Sequence, residues 1–294
     1  MFEEKRKEMY LSYNEACGKE CSDLMTDLKL CEKNGMDYIE IRLDMLKNFL
    51  KSGSLEEIKK FFEDSYLKPH AINAIYLTQD ILEGDTLNEN SQAMKDFIFT
   101  CEVGKAIGSH YMILVPPFDP SGVFKGDILE AEKNCVDILK QLSELARPYK
   151  MKLCFELVGL KKSCVRTIEA ADRIIRAVNQ DNVGFVFDSY NIYLCGKCND
   201  FSKIAQVQKD KIFAIHLMSA DCVPEEEMGQ DKRCFPGEGV VDTNAFLKIL
   251  KEVGYEGMVS VETFRPQYWE KTPEWVIQNA YESLYKILEK NDCL

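Results

Sequence analysis

The sequence predicts an α/β fold: a single (β/α)8 TIM barrel, parallel strands inside and helices outside. Three observations lead there. Eight short apolar runs alternate with helical or loop segments along the whole chain. The runs are continuously apolar, as strands buried on both faces must be. No G-x-G-x-x-G follows the first run, which argues against a doubly wound sheet. A length of 294 residues suits one barrel domain over 1–294, with 1–8 as an N-terminal extension.

The elements follow in order. Tyr10–Ala16 reads as the first strand, and a helix near Ser22–Lys33 stops at Asn34-Gly35, a C-cap signal. Tyr38–Asp44 is the second strand. Ser54 caps a helix over Leu55–Asp64, with Glu57 completing a capping box. Ala71–Leu77 is the third strand, followed by a helix over Gln92–Ile107 that ends at Gly108. Tyr111–Val115 is stopped by Pro116-Pro117, and Asp127–Ala146 is a helix ended by Pro148. Lys152–Val158 and Val183–Asp188 are strands five and six, separated by a helix over Thr167–Val178. A short helix near Phe201–Gln206 leads to strand seven, Ile212–Leu217. A long polar loop covers Ser219–Val241. Thr243–Val253 is helical, Met258–Glu262 is the eighth strand, and Thr272 caps a last helix over Pro273–Glu289 with Pro273 at its first position.

The formal charge is −12, from 49 acidic and 37 basic residues, which disfavours nucleic acid and anionic membranes as partners. The first eight residues are mostly charged and carry no signal-peptide core, and no apolar run approaches the roughly 20 residues a bilayer needs. The expectation is a cytoplasmic protein. Its 12 cysteines are scattered, which fits a reducing compartment. Cys195 and Cys198 form the only CxxC, and with no second pair they are read as structural or incidental.

Glu156, Asp188, His216 and Glu262 end or follow strands five to eight, at intervals of 32, 28 and 46 residues. Each spacing is about one strand–helix–strand unit. Active sites of such barrels lie at the C-terminal strand ends, and neighbouring strands are about 4.8 Å apart. A charged residue there is costly to bury unless paired or metal-bound. Any one of the four could simply bond a nearby loop; four at successive strand ends point to a divalent-metal site. Three carboxylates and an imidazole suit Mn²⁺, the expected ion, with Mg²⁺, Co²⁺ or Zn²⁺ as alternatives. A metal flanked by two carboxylates can polarise an α-hydroxyketone while one glutamate removes a C–H proton and the other returns it. Glu156 and Glu262, on strands five and eight, can flank the ion. His70 and His110 fall at the N-terminal side and are read as structural.

Five stretches carry a resemblance: Tyr38-Ile-Glu-Ile-Arg42, Phe155-Glu-Leu-Val-Gly159, Asp181-Asn-Val-Gly-Phe-Val-Phe-Asp-Ser189, Arg233-Cys-Phe-Pro-Gly-Glu-Gly239 and Val259-Ser-Val-Glu-Thr-Phe-Arg-Pro-Gln-Tyr268. They resemble the sugar phosphate isomerase/epimerase family, the xylose-isomerase-like TIM barrels, and within it the inosose isomerases of inositol breakdown. The similarity runs from about Leu11 to the last helix. It implies metal binding by Glu156, Asp188, His216 and Glu262, and an acid/base pair in Glu156 and Glu262. It implies that Arg233 reaches substrate oxygens; the alternative is a surface salt bridge with Glu225–Glu227. Two positions depart from the family. Asn191 stands where a substrate-contacting histidine is common, and the run after His216 is Leu217-Met-Ser-Ala-Asp221, where inosose isomerases carry acidic residues. Lys162 is either a substrate contact or a solvated loop lysine.

The resulting expectation is a metal-dependent isomerase or epimerase of a keto-inositol or ketose, acting through an enediolate. A homodimer or a partner subunit is compatible with it. One alternative keeps the site but eliminates a β-substituent, as a lyase or dehydratase such as a 3-keto-glycoside deglycosidase subunit. An endonuclease-IV-like phosphodiesterase would need more metal ligands and a basic surface than three histidines and a charge of −12 provide. A catalytically silent metal-binding scaffold is the fourth reading.

Overall fold

The computed structural model describes residues 8–77 and 91–294. Of the expected extension only Glu8 falls among them. Eight parallel strands close into a barrel: β1 (Met9–Asn14), β2 (Tyr38–Arg42), β3 (Lys68–Tyr76), β4 (Tyr111–Val115), β5 (Lys152–Glu156), β6 (Val183–Asp188), β7 (Ile212–His216) and, after a short antiparallel pair β8 (Ser219–Ala220) and β9 (Arg233–Cys234), β10 (Gly257–Val261). Neighbours follow chain order, and β10 closes the ring on β1.

The outer layer comprises α1 (Leu24–Asn34), α2 (Leu43–Phe49), α3 (Leu55–Asp64), α4 (Gln92–Ile107), α5 (Ile128–Ala146), α6 (Ile168–Val178), α7 (Ser189–Leu194), α8 (Thr243–Glu252), α9 (Pro266–Trp269) and α10 (Pro273–Lys290). The expected caps are in place. Ser54 and Glu57 close the capping box on α3, and Thr272 accepts from the Trp275 amide at the start of α10. Gly35 ends α1 at φ 92°, a conformation that favours glycine. At the other end of α1 the cap is Asp23, which accepts from the Thr26 amide.

Several expectations needed revision, besides shifts of one to three residues at strand ends. The second strand stops at Arg42, because Leu43–Phe49 folds as α2, and Arg42 pairs with Asp44 in its first turn at 2.6 Å. Strand six passes at once into α7, whose N-cap is Asp188 itself. The segment 219–241 is not merely a polar loop. Ser219 pairs with Cys234 and Ala220 with Arg233, so a small ladder carries Arg233 back over the barrel.

Strand parity explains the interior. Alternate residues of a barrel strand face inward. Ala71, Ile113, Cys154, Val186, Ala214 and Met258 form one buried inner cluster. Two residues further along β5, β6 and β7 come Glu156, Asp188 and His216. On the outer side Leu153, Phe155, Phe185, Phe187, Ile215 and Val259 pack in the much larger core that includes the helices. In β4 to β7 both faces are therefore apolar until the strand ends, which is why those runs read as unbroken; β2 carries Glu40 in its interior.

Candidate metal centre

The strand ends bring Glu156, Asp188, His216 and Glu262 together. One ligand atom from each lies within 4.8 Å of the others, and all four residues are buried. Register accounts for the meeting: Asp188 is paired with His216, and His216 with Ser260, two residues before Glu262.

Each side chain is held differently. Asp188 Oδ1 accepts from the Asn191 backbone amide at 2.7 Å. Glu156 Oε1 accepts from the Asn191 side-chain amide at 2.8 Å. Asn191 thus braces two of the four carboxyl and imidazole groups rather than only facing a substrate. It comes close because residue 159 is glycine: a Cβ there would stand 2.2 Å from the Asn191 carbonyl oxygen. Glu262 Oε1 accepts from Asn14 Nδ2 at 3.1 Å and Asn73 Nδ2 at 2.8 Å, leaving Oε2 directed inward. His216 Nδ1 lies 3.4 Å from Glu262 Oε2 and 3.9 Å from Asp188 Oδ2. Its Nε2 lies 2.9 Å from Glu40 Oε2. Neither ring nitrogen has an aligned hydrogen-bond partner among the described residues.

Arg233 is buried, at 1% exposure, so the surface salt bridge with Glu225–Glu227 does not form. Glu225 pairs with Lys161 instead, at 3.1 Å. Arg233 Nη1 donates to Asp188 Oδ2 at 2.6 Å and Glu262 Oε2 at 3.1 Å. Its guanidinium lies 4.9 Å from the Tyr190 ring centroid and 5.4 Å from that of Phe264. Lys162 stands 4.5 Å from the centre of the Phe118 ring, on the wall of a cavity of about 390 Å³. That cavity reaches Glu156, Asn191, Arg233 and Glu262. Asp188 and His216 lie beneath it, fully buried.

Electrostatics separates the carboxyl groups. Burial, then repulsion from Glu262 and Asp188, raises Glu156 to about 8. Burial also raises Asp188, against the pull of Arg233. Burial opposes ionisation of Glu262 as well, but His216 and Arg233 outweigh it and hold its pKa below the ordinary value. Glu40 is held well below the carboxylate range because His216 and His70 outweigh its burial. His216 shifts upward, since Glu40 and Glu262 outweigh the burial that would keep it neutral. Four buried carboxyl groups therefore surround one imidazole and one guanidinium. This excess of negative donors, with an unpartnered imidazole nitrogen facing it, fits a divalent cation.

Sequence reasoning missed Glu40, Asn14 and Asn73. Glu40 had a usable signal, a carboxylate at inward parity within the apolar run of β2. His70 and His110 do lie at the N-terminal end, where they line a larger cavity of about 660 Å³. His70 is not remote from the site, however: its Nδ1 is 3.8 Å from Glu40 Oε1. All 12 cysteines are free; Cys198 is exposed and Cys195 partly so. No helix among the described residues is long and apolar enough to cross a membrane.

Comparisons with known proteins agree with this geometry. The family described as xylose isomerase-like TIM barrel matches residues 28–285. An inosose isomerase of Halalkalibacterium halodurans is 35% identical over 284 residues, 96% of this chain and 98% of that protein. One of Bacillus subtilis is 37% identical over 283 residues, 96% and 99% of the two chains. A crystal structure of IOLI protein with a bound zinc atom superposes with a TM-score of 0.86 at 35% identity, covering 96% of this chain and 99% of that one.

Proposed function

The chain belongs to the xylose isomerase-like TIM barrel family, and we propose that it is a metal-dependent isomerase of a keto-inositol that works through an enediolate. The observation that carries this reading is the buried Glu156–Asp188–His216–Glu262 set in a chain similar to inosose isomerases over nearly its whole length. Those four residues would hold one divalent ion. The comparison structure carries zinc; Mn²⁺ suits the three oxygen donors and is the ion to test first. The chemistry a divalent ion supplies there is Lewis acidity toward a carbonyl and its neighbouring hydroxyl.

The chain's own residues do the rest. Glu262, kept ionised, takes a proton from the carbon beside the carbonyl, and the C–H electron pair moves toward the carbonyl oxygen as the enediolate forms. Glu156, which burial and the neighbouring carboxylates of Glu262 and Asp188 make the more readily protonated, carries the proton returned to carbon. Arg233 compensates negative charge at the mouth and is positioned to meet substrate oxygens. Asn191 orients Glu156. Asn191 and Lys162 line the wall that selects among keto-polyols and ketoses. An epimerisation results when the proton returns to the same carbon, an isomerisation when it returns to the neighbouring one. We take the chain as one domain acting in the cytoplasm on a small molecule, alone or as a homodimer.

The test is incubation of the metal-loaded protein with an inosose in D₂O. Deuterium at the α-carbon, with an isomeric product and nothing released, is expected. Loss of water or another leaving group would establish the lyase reading instead. Absence of both exchange and product with every inosose and ketose offered would refute the function.

A further inference from the structure

Glu40 has no part in the roles above, yet it stands in the middle of the barrel. It is the third residue of β2 and is fully buried. Oε2 accepts from Asn14 Nδ2 at 3.0 Å and lies 2.9 Å from His216 Nε2. Oε1 lies 3.8 Å from His70 Nδ1 and has no hydrogen-bond partner among the described residues. His216 therefore faces carboxylates with both nitrogens: Glu40 at Nε2, Asp188 and Glu262 at Nδ1.

We propose that Glu40 is a positioning residue: it holds His216 with Nε2 protonated, so that the Nδ1 lone pair is the one offered to a divalent ion. A neutral imidazole has one donor nitrogen and one acceptor nitrogen. An ionised carboxylate only accepts, so Glu40 Oε2, 2.9 Å from Nε2, favours the tautomer that keeps the proton on Nε2. Asn14 adds a second constraint, since one amide nitrogen bonds both Glu40 and Glu262. Orientation of the imidazole and of the Glu262 carboxylate is thereby tied through β1. On the far side the His70 ring, stacked on Tyr111 at 4.4 Å between centroids, limits where the Glu40 head can move.

This rests on the reading of His216 as a metal ligand, and the experiment separates the two. In ¹⁵N-labelled, zinc-loaded protein, long-range ¹H–¹⁵N spectra of the three histidines should show His216 Nε2 protonated and Nδ1 shifted by zinc; the reverse assignment overturns the proposal. Zinc affinity, measured by chelator competition, should fall 10–100-fold in Glu40→Met. It should fall less in Glu40→Gln, whose amide oxygen can still accept. Both should leave the far-UV spectrum intact. Wild-type affinity in Glu40→Met refutes the role of Glu40. If Glu40→Met does not fold, the wild-type spectrum and Glu40→Gln decide. His216→Ala discriminates further: loss of zinc there with retention in Glu40→Met sinks only the present proposal, whereas wild-type zinc binding in His216→Ala sinks the ligand reading itself.

Discussion

Replacing Arg233 with methionine should make the stability of this protein depend on its metal. Nη1 sits 2.6 Å from Asp188 Oδ2 and 3.1 Å from Glu262 Oε2, with the side chain buried. At an effective dielectric of about 20, the two contacts are worth roughly 5–6 kcal/mol of attraction each. The desolvation of three buried ions offsets most of it. What a substitution exposes is the remaining imbalance: two buried carboxylates without their cation. Losing one partner of such a group costs about 3–5 kcal/mol, a fall of roughly 10 °C in Tm for a chain of this size. Methionine keeps much of the side-chain volume against Tyr190 and Phe264, so little of the loss comes from a cavity. A divalent ion neutralises the same two carboxylates. The deficit should therefore be largest in chelator and shrink by at least half in saturating Zn²⁺ or Mn²⁺. The assay is paired thermal and urea unfolding of wild type and Arg233→Met, with and without metal. Equal stability of the two proteins in chelator would refute the electrostatic reasoning. An equal deficit in both conditions would show that Arg233 and the metal do not share their counter-charges.

Glu156→Gln and Glu262→Gln, assayed at saturating metal, should each lower the rate of α-proton exchange into D₂O by about 10²–10⁴; retained exchange in either removes that residue from the proton-transfer pair. Stripping the wild type with a chelator should abolish turnover and lower Tm. Readdition at 100 times the Kd should restore about 2.7 kcal/mol of stability, and unchanged activity after verified metal removal would end the metal-dependent mechanism. Asp27 gives a pH dependence away from the site. Burial raises it to about 7, against the hydrogen bond from Ser22, so the folded state holds the proton more tightly than the unfolded chain. Its ionisation then costs stability as pH rises from about 4 to 7, bounded by roughly 4 kcal/mol at 1.36 kcal/mol per pH unit. Asp27→Asn should be more stable than wild type at pH 8 and indistinguishable near pH 4 in urea unfolding. A constant difference across that range would show that Asp27 does not titrate on folding.

The readable part of this protein was local. Val183–Asp188 matches its strand to the residue, and the box at Ser54 and Glu57 is where two side chains and a backbone three residues apart require it. Strand ends were overrun where an apolar residue follows the last strand residue, as at Leu157 after β5 and Leu217 after β7. The switch from β2 into α2 was missed because Leu43-Asp44-Met45-Leu46 extends an apolar strand pattern as readily as it begins a helix.

The sequence by itself determined the barrel and the gathering of Glu156, Asp188, His216 and Glu262. Period-two alternation sets which residues face inward, and one acidic or imidazole side chain ends each of four consecutive units. Only the tertiary structure decided what surrounds them. Asn14 reaches Glu262 across 248 positions because β1 closes on β10, and Asn73 does so across 189. Glu40 meets His216 across the barrel interior because the stagger of the strands sets their relative heights, a quantity no local pattern carries. Arg233 depends on a two-residue ladder that folds a loop over the mouth. In each case the partner lies far away in the chain, and ring closure rather than propensity brings it within bonding distance.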